Sequence, residues 1–233
     1  MNITKKMARV AGILYLVIII CAGFSQGYVR SSLIMPDSAA ATAANIAASE
    51  GLFRIGFVSD LIAFMSDLIV AALFYILLKP VNQTLALAAA WLRLLAHPAI
   101  ATVNLLNHFV ALKLLNGADY LAVFSADQLH ALVLLFLNMH MIGYLIAGAF
   151  FGVHLLLLGY LLFKSDLFPG ILGVLIAVAA AGYLIESFGN FLYPEHKAAY
   201  ALIVAIPAVI GEVTLTLWLL IKGVKSRPSV SMA

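Results

Sequence analysis

Six long apolar stretches restrict the folds open to this chain more than any other feature of its sequence. They cover residues 10–28, 52–78, 85–112, 132–163, 168–192 and 199–221. Each has roughly the 20 residues that a helix needs to cross a hydrocarbon layer about 30 Å thick. Backbone amides find no water partner inside a bilayer, so the stretches are expected to be helical. The predicted fold is an all-α integral membrane bundle of six transmembrane helices.

The composition excludes several other classes of protein. Of the 233 residues, 65% are hydrophobic and only 10% are charged, whereas about a quarter of a soluble domain is charged. So few charges cannot cover the surface of a water-soluble globule. Nucleic-acid binding would need basic residues clustered on one face, and here they are scattered. The single cysteine, Cys21, can form neither an internal disulfide nor a cysteine-based zinc site.

The chain is predicted to form one transmembrane domain over residues 1–225, followed by a short flexible cytoplasmic tail over 226–233. Basic residues precede the first apolar stretch, as they would in a cleaved signal. However, Ile20 is too large for a cleavage site or lipoprotein box in front of Cys21. The first stretch is therefore interpreted as a retained helix.

The distribution of Lys and Arg predicts the orientation of the bundle. With the N-terminus inside, eight basic residues fall on the inner side and four on the outer side, which favours cytoplasmic termini and a multi-pass protein of a prokaryotic cell membrane. The inner set is Lys5, Lys6, Arg9, Lys79, Lys164, Lys222, Lys225 and Arg227, and the outer set is Arg30, Arg54, Lys113 and Lys197.

Two connections carry signals for the start of a helix. Residues 36–38 predict a short helix that would lie over the outer mouth of the bundle. Ser125 and Gln128 resemble a capping box that opens the fourth span. Extended to the end of its apolar stretch, that helix would be about 57 Å long. Either its first turns stand above the membrane, or Gly143 and Gly148 bend it.

Polar and ionisable residues interrupt the apolar stretches at helical spacing. Such residues are costly in lipid and mark either function or buried pairs. Asp60 and Asp67 lie about 20° apart around the second span. Around the third span, Arg93, His97, Asn104 and His108 lie within about 40° of one another. Around the fourth span, His140 and His154 are also about 40° apart. Each span is therefore expected to turn one polar stripe toward the bundle interior.

Depth within the spans divides these residues into two predicted clusters. Asp67 and His97 are placed near the middle and Arg93 deeper, and Asp67 with Arg93 or His97 is interpreted as a structural ion pair, because an unpaired buried charge would not be tolerated. Tyr15 is interpreted as an ordinary span aromatic. The candidate ligand-binding residues are Asp60, Asn104, His108, His140, Tyr144, Tyr183, Glu186, Asn190 and Glu212.

Several segments carry a family resemblance that extends over nearly the whole chain. They are AGILYL at 11–16, NLLN at 104–107, GYLIAGAFFGVHLLLLGY at 143–160, PGILGVL at 169–175 and GYLIESFGNF at 182–191. These segments resemble the bacterial and archaeal membrane proteins grouped as domain of unknown function 4386 (DUF4386). The resemblance implies a polytopic membrane protein. It implies no particular activity and no catalytic residue.

Three functions remain open from the sequence. The first is a binding or transport module whose polar chamber, toward the outer face, holds a small ligand or a lipid headgroup. The second is an intramembrane metal-dependent hydrolase or oxidoreductase. In it Asp60, His108, His140 and Glu186 would bind zinc or iron, with Glu212 as a base.

The third function is a b-type haem protein. His108 would pair with His140, and His97 with His154, because the third and fourth spans run antiparallel. The expected partners of the protein are the lipid bilayer and a small-molecule or lipid ligand, with no nucleic acid. A homo-oligomer is compatible with the sequence.

Overall fold

The computed structural model describes residues 3–225, over which the chain forms seven α-helices and no strand. Except for the short α2, all are long and apolar enough to cross a membrane, which confirms the predicted six-span all-α fold. The proposed tail at 226–233 lies outside the described residues. The helices are α1 (Ile3–Leu33), α2 (Ala39–Ala48), α3 (Glu50–Leu78), α4 (Gln83–Leu115), α5 (Ala126–Lys164), α6 (Gly170–Leu192) and α7 (Lys197–Ile221).

The six spanning helices form a closed ring. Each packs on the spanning helices next to it in the chain, and α1 closes the ring against α7. An extensive interface joins α5 to α6. There a side chain at Gly159 or Gly173 would overlap the backbone carbonyl of the other glycine. Such close backbone approach is typical of helix packing in membranes.

Both ends of the described chain lie on one face of the ring, which we call the terminal face. The guanidinium of Arg9 donates to the Ile221 carbonyl at 3.5 Å. The backbone amide of Lys225 donates to the carbonyl of Leu167, in the α5–α6 turn, at 2.9 Å. The opposite face carries α2 and the α4–α5 and α6–α7 connections.

The opposite face contains both predicted helix starts. Ser38 caps α2 by accepting a hydrogen bond from the Ala41 amide at 3.2 Å. Ser125 and Gln128 form the predicted capping box of α5. All 39 residues of α5 form one helix, about 58 Å long at 1.5 Å per residue. Its first turns therefore extend past the bilayer thickness, and α2 packs along them.

Two of the spanning helices contain a π-helical turn. These turns cover Gly23–Val29 in α1 and Leu95–Ala101 in α4. The second contains Pro98, which has no amide hydrogen and disturbs regular α-helical pairing. Thr102 stabilises the turn by donating its hydroxyl hydrogen to the His97 carbonyl at 3.2 Å. Single π-turns occur frequently at functional sites.

Candidate functional site

The ring of helices encloses a cavity of about 470 Å³, which we call the chamber. All six spanning helices contribute to its wall, and its volume is in the range of small-molecule pockets. Ile18, Phe64, Phe151 and Val209 are among the apolar lining residues. The polar lining residues are Gln26, Arg30, Asp67, His97, Tyr144, Tyr183, Glu186 and Glu212.

The chamber is open to the outside of the bundle, and α1 and α7 both contribute to its wall. These helices meet in the half of the ring near the terminal face, where a side chain at Gly12 would overlap Leu219. In the other half, the chamber-lining side chains of Val209 and Met141 are 61% and 52% exposed. Residues that line the chamber are thus also part of the apolar outer surface of the bundle. The chamber is therefore accessible from the outer surface of the bundle at these two residues.

A buried ion pair lies at the base of the chamber. The Nε of Arg93 donates to Oδ1 of Asp67 at 2.7 Å, and Nδ1 of His97 lies 2.5 Å from Oδ2 of the same carboxylate. The Arg93 guanidinium also lies 4.7 Å from the ring centre of Tyr15 and 5.3 Å from that of Phe151. The structure thus brings together Asp67, Arg93 and His97, as predicted for the structural ion pair. It also places two aromatic rings beside the Arg93 guanidinium, where they can stabilise its positive charge.

His154 extends this network on α5. Its Nδ1 lies 2.8 Å from the Ala89 carbonyl, which can only accept, so Nδ1 carries the hydrogen. Its Nε2 then accepts from the Nη1 of Arg93 at 3.1 Å. The imidazole is therefore neutral with both nitrogens occupied. It offers no free nitrogen for the haem ligation considered together with His97.

Glu212 joins the network to the far wall of the chamber. Its two carboxylate oxygens accept from the hydroxyls of Tyr15 at 2.8 Å and Tyr183 at 2.9 Å. The interpretation of Tyr15 as an ordinary span aromatic is therefore wrong, because the side chain is fully buried against polar partners. Its position in the middle of α1, away from the interfaces where span aromatics concentrate, was the available signal.

A second polar group lies nearer the opposite face. Asp60 is fully buried and accepts from Nε2 of Gln26 at 2.7 Å and the Tyr144 hydroxyl at 3.4 Å. Arg30 donates to the Leu137 carbonyl at 3.1 Å. The assignment of Arg30 to an outer loop is wrong, because α1 continues to Leu33 and carries the guanidinium into the chamber wall. Gln26 and Arg30 were missed because polar residues at the end of an apolar stretch resemble a loop.

His108 and His140 form a separate pair beside Tyr144. Their ring centres are 5.7 Å apart, and that of His140 is 5.2 Å from the Tyr144 ring. His108 donates to the Phe53 carbonyl through Nε2, and His140 to the Asn104 carbonyl through Nδ1, both at 3.2 Å. The other nitrogen of each ring is buried without a partner among the described residues. Neither histidine lines the chamber.

The structure does not assemble the expected metal ligands. Between residues 3 and 225, no three His, Cys, Asp or Glu residues are arranged to hold a metal ion. His108 and His140 face each other between α4 and α5, whereas Glu186 lies on the chamber wall. Asn190, one turn further along α6, donates to the Glu186 carbonyl at 2.8 Å. The four candidates therefore do not form one cluster, because their helices face different partners.

The helix predicted to lie over the outer mouth forms at the opposite face, where it contacts α1, α3, α4 and α5. Ser38 does start α2, but the helix packs along α5, and its Ile46 is buried in a cluster with Val133 and Leu137. No residue of α2 lines the chamber. The helix covers the extended end of α5 because that end carries apolar residues beyond the bilayer.

The fold and the chamber define a polytopic membrane-type protein, a six-helix bundle with a buried polar interior. The chain belongs to the DUF4386 family, described as a domain of unknown function, whose family model matches residues 10–223. An uncharacterized protein of Archaeoglobus fulgidus is 32% identical over 165 residues, which cover 71% of this chain and 82% of the relative. No solved structure matches the chain.

Proposed function

We propose that the protein binds a small amphiphile in the chamber, which the ligand enters from the bilayer between α1 and α7. The observation that supports this proposal is an opening at which Val209 and Met141 belong both to the chamber wall and to the outer surface. A hydrocarbon chain can pass such an opening without leaving an apolar environment. Only the headgroup must then exchange its water for protein partners.

The distribution of polarity within the chamber suits an amphiphile. Deep in the chamber, Glu212, Asp67 and His97 offer charged and hydrogen-bonding groups. Nearer the opening, Ile19, Val209 and other apolar side chains form the wall. A headgroup at the base would meet the polar groups.

The packing below the chamber favours a binding module over an open channel. Between the ion pair and the terminal face, the ring is filled by fully buried side chains, which include Leu158, Leu161, Leu162 and Phe168. A continuous aqueous path would have to pass through this core. Transport would therefore require rearrangement of the helices, whereas binding requires only the chamber as it stands.

Photolabelling tests the proposed binding function. The probes are octyl chains that carry a diazirine and end in an alcohol, a carboxylate or a primary amine. We expect at least one probe to label chamber residues such as Ile18 and Val213, as mapped by peptide mass spectrometry. Val209→Trp should reduce this labelling at least ~10-fold by narrowing the opening, a loss of about 1.4 kcal/mol in affinity.

The matched control is Val178→Trp, because Val178 is 52% exposed on α6 and does not line the chamber. This variant should keep the labelling of the chamber unchanged. Labelling confined to the outer surface of the wild-type protein, for all three probes, would overturn the proposal.

A further inference from the structure

We infer that the amphiphile bound in the chamber carries a cationic nitrogen, a protonated amine on a hydrocarbon chain. This inference rests on the proposed binding function and names the chemical class of its ligand. It follows from the charges that line the chamber, the aromatic faces beside them and the size of the cavity.

The chamber wall carries more acidic than basic charge. Asp67 already binds Arg93 and His97. Arg30 is within electrostatic range of the buried Asp60. Glu186 and Glu212 also line the chamber.

These two glutamates make no ion pair, although Glu212 lies within electrostatic range of Arg93 and His97. Within residues 3–225, neither has a Lys, Arg or His nitrogen in ion-pair contact. Carboxylates at a site of low dielectric constant need a counter-charge. The pair Glu186 and Glu212 therefore favours a cationic ligand over an anionic one.

The hydrogen bonds of Glu212 leave it able to accept more. The hydroxyls of Tyr15 and Tyr183 each donate to a different carboxylate oxygen. A carboxylate oxygen can accept about two hydrogen bonds, so each retains capacity for an N–H donor. Glu186 makes no side-chain hydrogen bond within the described part of the chain. An ammonium group has the three donors that such acceptors can use.

Aromatic rings complete the environment for a cation. Tyr183 and Phe151 are in edge contact at 5.1 Å, and Phe64 and Tyr144 are 6.3 Å apart on the same chamber wall. Ring faces attract ammonium groups that lie within about 6 Å. Tyr183 thus offers a ring beside the carboxylate to which its own hydroxyl donates.

The size of the chamber favours an organic cation over a metal ion. About 470 Å³ with largely apolar walls exceeds what an inorganic ion needs. The opening at Val209 and Met141 gives the hydrocarbon chain its route. An amine headgroup of a membrane lipid and a free lipophilic amine share this chemistry.

Head-group preference among the three photolabels tests the inference. We expect the octylammonium probe to label the chamber at about tenfold lower concentration than the alcohol or the carboxylate, as a charge-assisted hydrogen bond allows. Glu212→Gln and Glu186→Gln should each remove most of this preference. Glu195→Gln is the matched control, since that side chain is 60% exposed in the α6–α7 connection. It should keep the full preference.

The two glutamate variants guard against loss of folding. Glu186 holds no side-chain hydrogen bond, so Glu186→Gln should unfold at the wild-type temperature even if Glu212→Gln does not. Equal chamber labelling by all three probes overturns the amine inference and leaves the binding function intact. Loss of chamber labelling for every probe overturns both.

Competition with bicelles separates the two sources of amine. If phosphatidylethanolamine displaces the octylammonium probe and phosphatidylcholine does not, the result supports a lipid headgroup as the ligand. Probe binding that neither lipid displaces supports a free lipophilic amine. Displacement to the same extent by both lipids would show competition by acyl chains alone and overturn the role of the ammonium.

Discussion

At the residue scale, the number of partners explains how charges are held inside the bundle. Arg93 is fully buried, and an isolated charge there would be prohibitively costly. It instead contacts the Asp67 carboxylate, the Nε2 of His154 and the rings of Tyr15 and Phe151. These contacts come from helices α1, α3 and α5, so the cation also ties its own helix α4 to three others.

Removal of the Asp67 charge should destabilise the protein strongly. Asp67→Asn leaves Arg93 buried without its counter-ion, and breaking a buried pair from one side costs about 3–5 kcal/mol. The double variant Asp67→Leu with Arg93→Leu should recover a large part of that loss. Unfolding in mixed detergent micelles, followed by tryptophan fluorescence, measures the free energies.

The exposed pair formed by Arg54 and Glu50 provides the control for this prediction. Its side chains are 49% and 40% exposed, so Glu50→Gln should cost less than about 1 kcal/mol. A cost for Asp67→Asn no larger than that of Glu50→Gln would contradict a structural role for the buried pair.

At the element scale, the position of α4 against α5 depends on one glycine. A side chain at Gly143 would overlap the amide group of Asn104. That amide donates to the His140 carbonyl at 2.7 Å, and the His140 ring donates back to the Asn104 carbonyl. The two helices thus exchange hydrogen bonds at a point where only a glycine leaves enough room.

Gly143→Ala should therefore destabilise the bundle by about 1–3 kcal/mol, the usual cost of overpacking. Gly51→Ala is the control, because a Cβ there meets no atom within 4 Å. In that helical position alanine should be neutral or slightly stabilising. Addition of Asn104→Ala should relieve part of the strain of Gly143→Ala, which a double-mutant cycle would measure. Equal stability of the two glycine variants would exclude the steric explanation.

At the scale of the whole molecule, the distribution of basic residues predicts the orientation. Among the described residues, seven lie near the terminal face and three near the opposite face. The first set is Lys5, Lys6, Arg9, Lys79, Lys164, Lys222 and Lys225, and the second is Arg54, Lys113 and Lys197. Because Arg30 is part of the chamber wall, it no longer counts toward the loops, and the bias is larger than the sequence suggested. We expect the terminal face to be cytoplasmic.

Cysteine labelling checks this orientation in intact cells. In a Cys21→Ser background, Ala47→Cys on α2 should react with a membrane-impermeant maleimide, whereas Lys222→Cys should not. Both positions are exposed, so opening the cells should make both reactive. Labelling of position 222 but not of position 47 from outside would reverse the assignment.

The sequence alone was enough for the spans, the fold class and the family. Apolar length and the spacing of polar residues are local properties, so they predict that a stretch crosses the membrane and that its polar stripe faces inward. The capping box at Ser125 and Gln128 was readable for the same reason. Asp67, Arg93 and His97 could also be grouped, because a buried charge needs a partner of opposite charge.

Only the tertiary structure decided which inward-facing residues meet. Helical periodicity defines a face of each helix but neither its rotation within the ring nor its partner across it. The sequence therefore grouped Glu186 with His108 and His140, which the structure separates. It also left out Tyr15, which contacts Glu212 and Arg93 behind the chamber wall, and Arg30, which lines the chamber because α1 extends to Leu33. Contacts of this kind depend on how six helices pack together, and no single segment contains that information.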